Sequence, residues 1–290
     1  MAPPSVMKFV RSSDGTPIYA EATGSSRNLH VVLVHGFSLS GVVFDEFCAD
    51  QRLLDELYIV RYDIRGHGRS GKPETAESYV SKLYADDFKA VLDAFSLVKP
   101  VLAAWSMGGT VATDVATYLP PGTISGLLFI AAIPCAGPFV AQFGTDEVLA
   151  ALSGCLETGS IASNQAAYWK FVDLLFVSPE TTPFALKCLY NGHAVSPKIM
   201  RHVCEREQDI EKLWEAGREG LPLCLLKGTV DAQIKLDKVE ELMKPHFQED
   251  KFEVRVLKGG GHSLHVETKE ELMWNFLEFA KRVGGKDYGS

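Results

Sequence analysis

Apolar residues along the chain fall into two kinds of run. Short, mostly apolar strand-like stretches recur at Leu29 to Val34, Tyr58 to Tyr62, Pro100 to Ala104, Leu127 to Ala132, Leu221 to Leu226 and Phe252 to Leu257. The first of these is too uniform for a half-exposed sheet and predicts a strand buried on both faces. Between them lie segments of helical period. Val80, Leu83, Tyr84, Phe88, Val91, Leu92 and Phe95 hold the i, i+3, i+4, i+7 spacing of one helix face. Val43 to Leu54, Thr110 to Leu119, Lys238 to Lys244 and Lys269 to Arg282 also read as helix-like. Strand, helix, strand in this rhythm requires crossover connections, and hence a parallel sheet. Ahead of it, Lys8 to Val10 and Ile18 to Ala22 flank an Asp14-Gly15 turn, which predicts an antiparallel hairpin at a sheet edge.

From Cys135 to Leu213 the pattern changes, with no strand-like run. One stripe comprises Val148, Leu149, Leu152 and Leu156; another, opening near Ser163, comprises Ala167, Phe171, Leu174 and Leu175. Pro183 opens a third helix that Asn191-Gly192 ends, and Ser196-Pro197 begins a fourth. The expected organisation is therefore a core domain of residues 1–134 and 214–290, interrupted by a helical cap, 135–213, with a loose tail from Gly284 to Ser290.

Composition narrows the function classes. The chain has 290 residues, 46% hydrophobic and 23% charged, the balance of a globular enzyme. Its formal charge of -8 and lack of a basic run exclude a nucleic-acid partner. Six cysteines without a Cys-x-x-Cys pair argue for reduced, mostly buried thiols and no metal site. Neither a secretory h-region nor a membrane span is visible, so a soluble, cytoplasmic protein without membrane contact is expected. No motif bears on oligomeric state.

Chemistry concentrates at Ala104-Trp105-Ser106-Met107-Gly108-Gly109. A serine on a tight turn from strand to helix, flanked by tiny residues, is a nucleophile elbow. Ala104 stands where glycine is commoner, yet is small enough for the turn. A serine hydroxyl needs a base to take its proton, and the base needs a carboxylate to fix its tautomer. Asp231 follows the run Leu221 to Leu226, and His262 follows Phe252 to Leu257 through three glycines. Parallel strands bring their C-terminal ends to one edge, where Ser106, Asp231 and His262 can converge. Asp237 is a rival acid farther from its strand end; His265 is a rival base, assigned by Leu264 and Val266 to a packed segment.

With these motifs the chain resembles the α/β-hydrolase family over nearly its whole length. The resemblance implies a mostly parallel central sheet flanked by helices, with an inserted helical cap. The backbone N–H of Met107, next after the nucleophile, is an expected oxyanion donor, and the His-Gly-x loop implies a second from Phe37. Asp63 to Ser70 corresponds to a recurring structural loop, and His35 is expected to brace the oxyanion loop. Substrate-lining candidates are Phe37, Phe139, Phe143 and Trp169, facing a small apolar ester-like substrate.

The resemblance implies a cofactor-free hydrolase acting on a carboxylic ester, lactone or thioester with an apolar portion. Serine at the elbow argues against the dehalogenases and epoxide hydrolases of this fold, which use aspartate. Trp-Ser-Met-Gly-Gly looks like the string of bacterial esterases and cofactor-free haloperoxidases, while Ser-Met-Gly-Gly also resembles that of carbon-carbon bond hydrolases. A biosynthetic acyltransferase or cyclase, or a ligand sensor retaining the fold, remains an alternative, because substrate choice lies in the cap and not in the triad spacing.

Overall fold

The computed structural model describes residues 5–285 except residue 194. Eight strands form one sheet: β1 (Ser5–Arg11), β2 (Pro17–Thr23), β3 (Leu29–Val34), β4 (Leu57–Tyr62), β5 (Val101–Trp105), β6 (Gly126–Ile130), β7 (Leu223–Gly228) and β8 (Phe252–Leu257). Their spatial order is β1-β2-β4-β3-β5-β6-β7-β8. The first hairpin is antiparallel and joins the sheet antiparallel to β4. Every later neighbour is parallel, as the crossover rhythm requires.

Burial explains why the central runs are so uniform. All residues of β4, β5 and β6 are buried, because helices cover both faces. At the edge, β8 is half-exposed along most of its length. Helix Ser81–Phe95 turns Tyr84, Phe88, Val91, Leu92 and Phe95 inward. Val80 departs from that stripe: it is the N-cap and is 48% exposed.

Three local departures have identifiable causes. The segment Val43 to Leu54 is not one helix but a 3₁₀ turn, Gly41–Phe44, and two short helices, Asp45–Cys48 and Gln51–Leu54. Asp50 breaks it, its carboxylate accepting from the Arg52 N–H at 3.1 Å and starting a new helix. Helix Ile161–Asp173 is capped by Ser160 rather than Ser163; the Ser160 hydroxyl accepts from the Ser163 N–H at 3.2 Å. The expected boundary at 213/214 falls inside helix Glu211–Arg218, which packs against helix Thr110–Tyr118 of the sheet layer. Gly284 closes the last helix, Lys269–Gly284, and the expected tail beyond 285 lies outside the described residues.

Between β6 and helix Glu211–Arg218 run helices Val140–Phe143, Asp146–Cys155, Ile161–Asp173, Phe184–Asn191 and Pro197–Cys204. The segment's exit is pinned to helix Thr110–Tyr118. Arg206 donates to Thr110 Oγ1 at 2.7 Å and lies 3.3 Å from Asp114, while the Gln208 amide donates to Asp114 at 2.6 Å and its oxygen accepts from Ala136 N at the segment's entry. Entry and exit thus share one buried polar knot.

Candidate active site

β5 runs fully buried to Trp105 and delivers Ser106 at a φ of 56°, in the left-handed region. Such a conformation costs a serine on the order of 1–3 kcal/mol. Close packing enforces it. A Cβ at Gly108 would sit 2.6 Å from the His35 carbonyl oxygen, and one at Gly109 would sit 2.5 Å from that of Ile133. The chain then enters a 3₁₀ turn, Ser106–Gly109, and helix Thr110–Tyr118. Met107 therefore lies in the first turn, where backbone N–H groups have no intrahelical acceptor.

Two other strand ends supply a paired acid and base. His262 Nδ1 donates to Asp231 Oδ2 at 2.8 Å, with both side chains almost wholly buried. The other carboxylate oxygen accepts from Gln233 N at 2.8 Å and Ile234 N at 2.9 Å. These donors hold the carboxylate and, through it, the imidazole tautomer. His262 Nε2 has no hydrogen-bond partner among the described residues. The ring lies beside Trp105, 5.6 Å between centroids, and the Trp105 indole N–H donates to the His262 carbonyl at 2.9 Å. Thus His262 is fastened to the residue preceding Ser106.

The rivals are engaged elsewhere. Asp237 is exposed and pairs with Lys227 at 2.7 Å. His265 Nε2 bonds the Tyr190 hydroxyl at 2.9 Å, and its ring meets Trp105 edge to face. Burial pushes His265 down to about 3, so it stays neutral. His35 Nε2 accepts from Ile64 N at 3.0 Å, so Nδ1 carries the proton and donates to Gly36 O at 2.8 Å. Burial lowers it also to about 3, and it braces the ends of β3 and β4 without titrating. The loop after β4 is likewise internally bonded: Asp63 accepts from Gly41 N and Arg69 N, while buried Arg65 grips Asp87 through two 2.7 Å bonds.

Ser106 opens onto a narrow apolar cavity of about 60 Å³, several times what one water needs. Phe37 and Met107 line it, as do Gln233 and Ile234 from the Asp231 loop. Phe139, Phe143 and Trp169 are not among its lining. Phe139 stacks on Phe143, which is buried, and Trp169 stacks on Phe184 with an interplanar angle of 7°. The helical wall is Val148, Leu152, Phe171 and Val203, and Phe171 meets Phe37 edge to face at 5.6 Å. Val148 and Leu152 stand one turn apart on the apolar stripe of helix Asp146–Cys155, a ridge that marks burial without telling cavity wall from core.

The six cysteines are unpaired, and four are buried. Among the described residues no group of three or more His, Cys, Asp or Glu could hold a metal ion, and no helix is long and apolar enough to cross a membrane.

An elbow serine at the end of β5, a carboxylate after β7 and a histidine after β8 define a protein class, and residues 31–273 match the description "Alpha/beta hydrolase family". The chain belongs to that family. EphD of Mycobacterium bovis, which carries an oxidoreductase's name, is 40% identical over 94 residues, 32% of this chain and 16% of that protein. The non-heme chloroperoxidase of Streptomyces lividans is 33% identical over 131 residues, 44% of this chain and 45% of that protein. Both matches span less than half of the relative's length. In fold the chain is similar to esterase RhEst1 from Rhodococcus sp. ECU1013, with 23% identity, a TM-score of 0.84, and coverage of 96% of this chain and 99% of that one.

Proposed function

We propose that this family member is a serine hydrolase that cleaves a small carboxylic ester, lactone or thioester with an apolar acyl portion. The observation that carries the reading is the buried Asp231–His262 pair, whose free Nε2 belongs to a ring fastened beside the strained Ser106 turn. In this reading His262 Nε2 takes the proton from Ser106 Oγ as that oxygen attacks the carbonyl carbon. The N–H groups of Phe37 and Met107 receive the oxyanion, each worth about 2.7–4 kcal/mol of barrier. Collapse expels the alcohol or thiol, protonated by His262. Water, deprotonated by the same nitrogen, then attacks the acyl-enzyme and releases the acid. The Asp231 carboxylate stabilises the imidazolium through its bond to Nδ1.

The segment from residue 135 to about 210 acts as the cap. Among the described residues, apart from Ser106 and the Cys204 thiol, the cavity presents Gln233 as its polar side chain, and that amide donates to Phe171 O at 3.0 Å. A charged acyl group would find no counter-ion there. The esterase fold neighbour is compatible with ester chemistry at such a site.

The test is turnover of p-nitrophenyl acetate, butyrate and octanoate by the wild type and Ser106→Ala, with fluorophosphonate titration. Steady turnover and stoichiometric labelling, both lost in Ser106→Ala, are expected. Equal activity in that variant would overturn the assignment.

A further inference from the structure

The loop Gly259 to Ser263 must present His262, yet its glycines have no side chains with which to hold it. Its anchors come from other segments. Trp105 takes the His262 carbonyl, and Ser263 N donates to Leu175 O at 3.0 Å. Gly259 N donates to Thr229 Oγ1 at 2.9 Å, and Gly260 O accepts from Val230 N at 3.1 Å. Nearest the imidazole on its N-terminal side, the anchor is a carboxylate that the mechanism above does not use. Glu267 Oε2 accepts from Gly261 N at 3.1 Å, and its Oε1 accepts from Val177 N at 2.6 Å.

This bridge joins two sides of the site. Gly261 is the residue before His262. Val177 follows helix Ile161–Asp173, which carries the cavity-lining Phe171. A Cβ on Gly261 would come within 2.7 Å of Glu267 Oε2, so glycine there is what lets the carboxylate approach the backbone. Burial raises the Glu267 pKa, with the Val177 and Gly261 N–H groups opposing that rise; Asp231 and His262 are the charged neighbours that act on it.

We propose that Glu267 is a positioning residue for His262, its two oxygens clamping the backbone before the imidazole to the segment that follows the Phe171 wall. This rests on the serine-hydrolase reading. Two acceptors facing two N–H donors require a carboxylate. Glutamine offers one oxygen and sets its NH₂ against a backbone N–H, releasing one side of the clamp. Loosening a base by even an ångström costs up to about 100-fold in rate.

The experiment compares wild type, Glu267→Gln and Gly261→Ala on p-nitrophenyl butyrate between about pH 5 and 9, with active sites counted by fluorophosphonate. The expected result is a drop in kcat of about tenfold or more in both variants, with KM within about twofold, the mark of a lost transition-state arrangement. In Glu267→Gln the acid limb of kcat/KM also moves to lower pH, because an anion beside the imidazolium has gone. Gly261→Ala, which keeps the charge and displaces it, retains the wild-type limb. A lower melting temperature with wild-type kcat and acid limb in Glu267→Gln, or wild-type kcat in Gly261→Ala, would reduce Glu267 to a structural tie and overturn the proposal. Ser106→Ala run alongside separates the two readings: turnover surviving there sinks the serine mechanism itself, whereas turnover lost there and unchanged in Glu267→Gln sinks the positioning role alone.

Discussion

The strand ends and the helical segment above them build the two halves of the cavity by different means. On the sheet side Ser106 and Asp231 follow their strands closely, whereas His262 sits on a glycine loop beyond β8 that hydrogen bonds from other segments hold in place. Ser106 directly follows β5, and Asp231 comes soon after β7, with its carboxylate held by two backbone N–H groups. The helical side contributes Val148, Leu152, Phe171 and Val203, all apolar and none anchored by a side-chain hydrogen bond. Its polar ties to the core include Tyr190 to His265, Arg206 and Gln208 around Asp114, Val177 to Glu267, Phe171 O to Gln233 and Thr145 to Ala232 O. In the proposed reading, reactivity therefore lies in the strand-end half and selectivity in the helical half, which can be repacked at lower cost.

The largest test of that division is at the acid. Asp231→Asn is expected to lower kcat by about 10⁴-fold, because an amide at that position favours the wrong imidazole tautomer. Asp237→Asn should stay within about twofold of wild type, since an exposed ion pair contributes little. Steady-state kinetics on p-nitrophenyl butyrate checks both, and a large loss in Asp237→Asn would reverse the assignment.

Next in size is a contrast of substitutions of one kind. Leu33→Ala, at a fully buried position of β3, should cost about 2–5 kcal/mol of stability by denaturant titration, with substrate preference unchanged. Leu152→Ala should instead shift the octanoate-to-acetate ratio of kcat/KM upward by about tenfold or more, as the cavity lengthens. If Leu152→Ala left the ratio alone, the cavity would not be the acyl site.

The smallest effect concerns the knot beneath the helical segment. Burial raises Asp114 to about 6, despite Arg206, Gln208 and Ser81 around it. The folded state thus holds this proton more tightly than the unfolded chain does. Its contribution to stability is fully present below about pH 4 and is lost as the pH rises through about 6. The melting-temperature difference of Asp114→Asn minus wild type should therefore grow by a few degrees from about pH 4 to about pH 6. A flat difference would mean that Asp114 does not titrate there.

These contrasts parallel what could be read from the chain. Leu29 to Val34 and Phe252 to Leu257 match their strands residue for residue, the first because a strand covered on both faces leaves an almost unbroken apolar signature, the second because an edge strand with one wetter face alternates Phe252, Val254 and Val256 with Glu253 and Arg255. Ser106, Asp231 and His262 were legible as residues at strand ends. The break at Asp50 was not, because a side chain competing for one backbone N–H leaves hydrophobic periodicity intact. Phe37 was legible as lining, but the helical lining residues were not, since a helix packed on two sides has more than one apolar ridge. In helix Ile161–Asp173, Phe171 faces the cavity whereas Trp169 stacks on Phe184. Glu267 escaped notice for a related reason: its partner Val177 is 90 residues away, and no local pattern marks the pair.

The central claim is that the serine and histidine at two strand ends act as one unit, and a double-mutant comparison tests it most directly. Ser106→Ala and His262→Ala should each lower kcat by about 10⁴–10⁶-fold, and the double variant should fall no further than the worse single one. Losses that multiply in the double variant would show two residues acting independently, and would contradict the account.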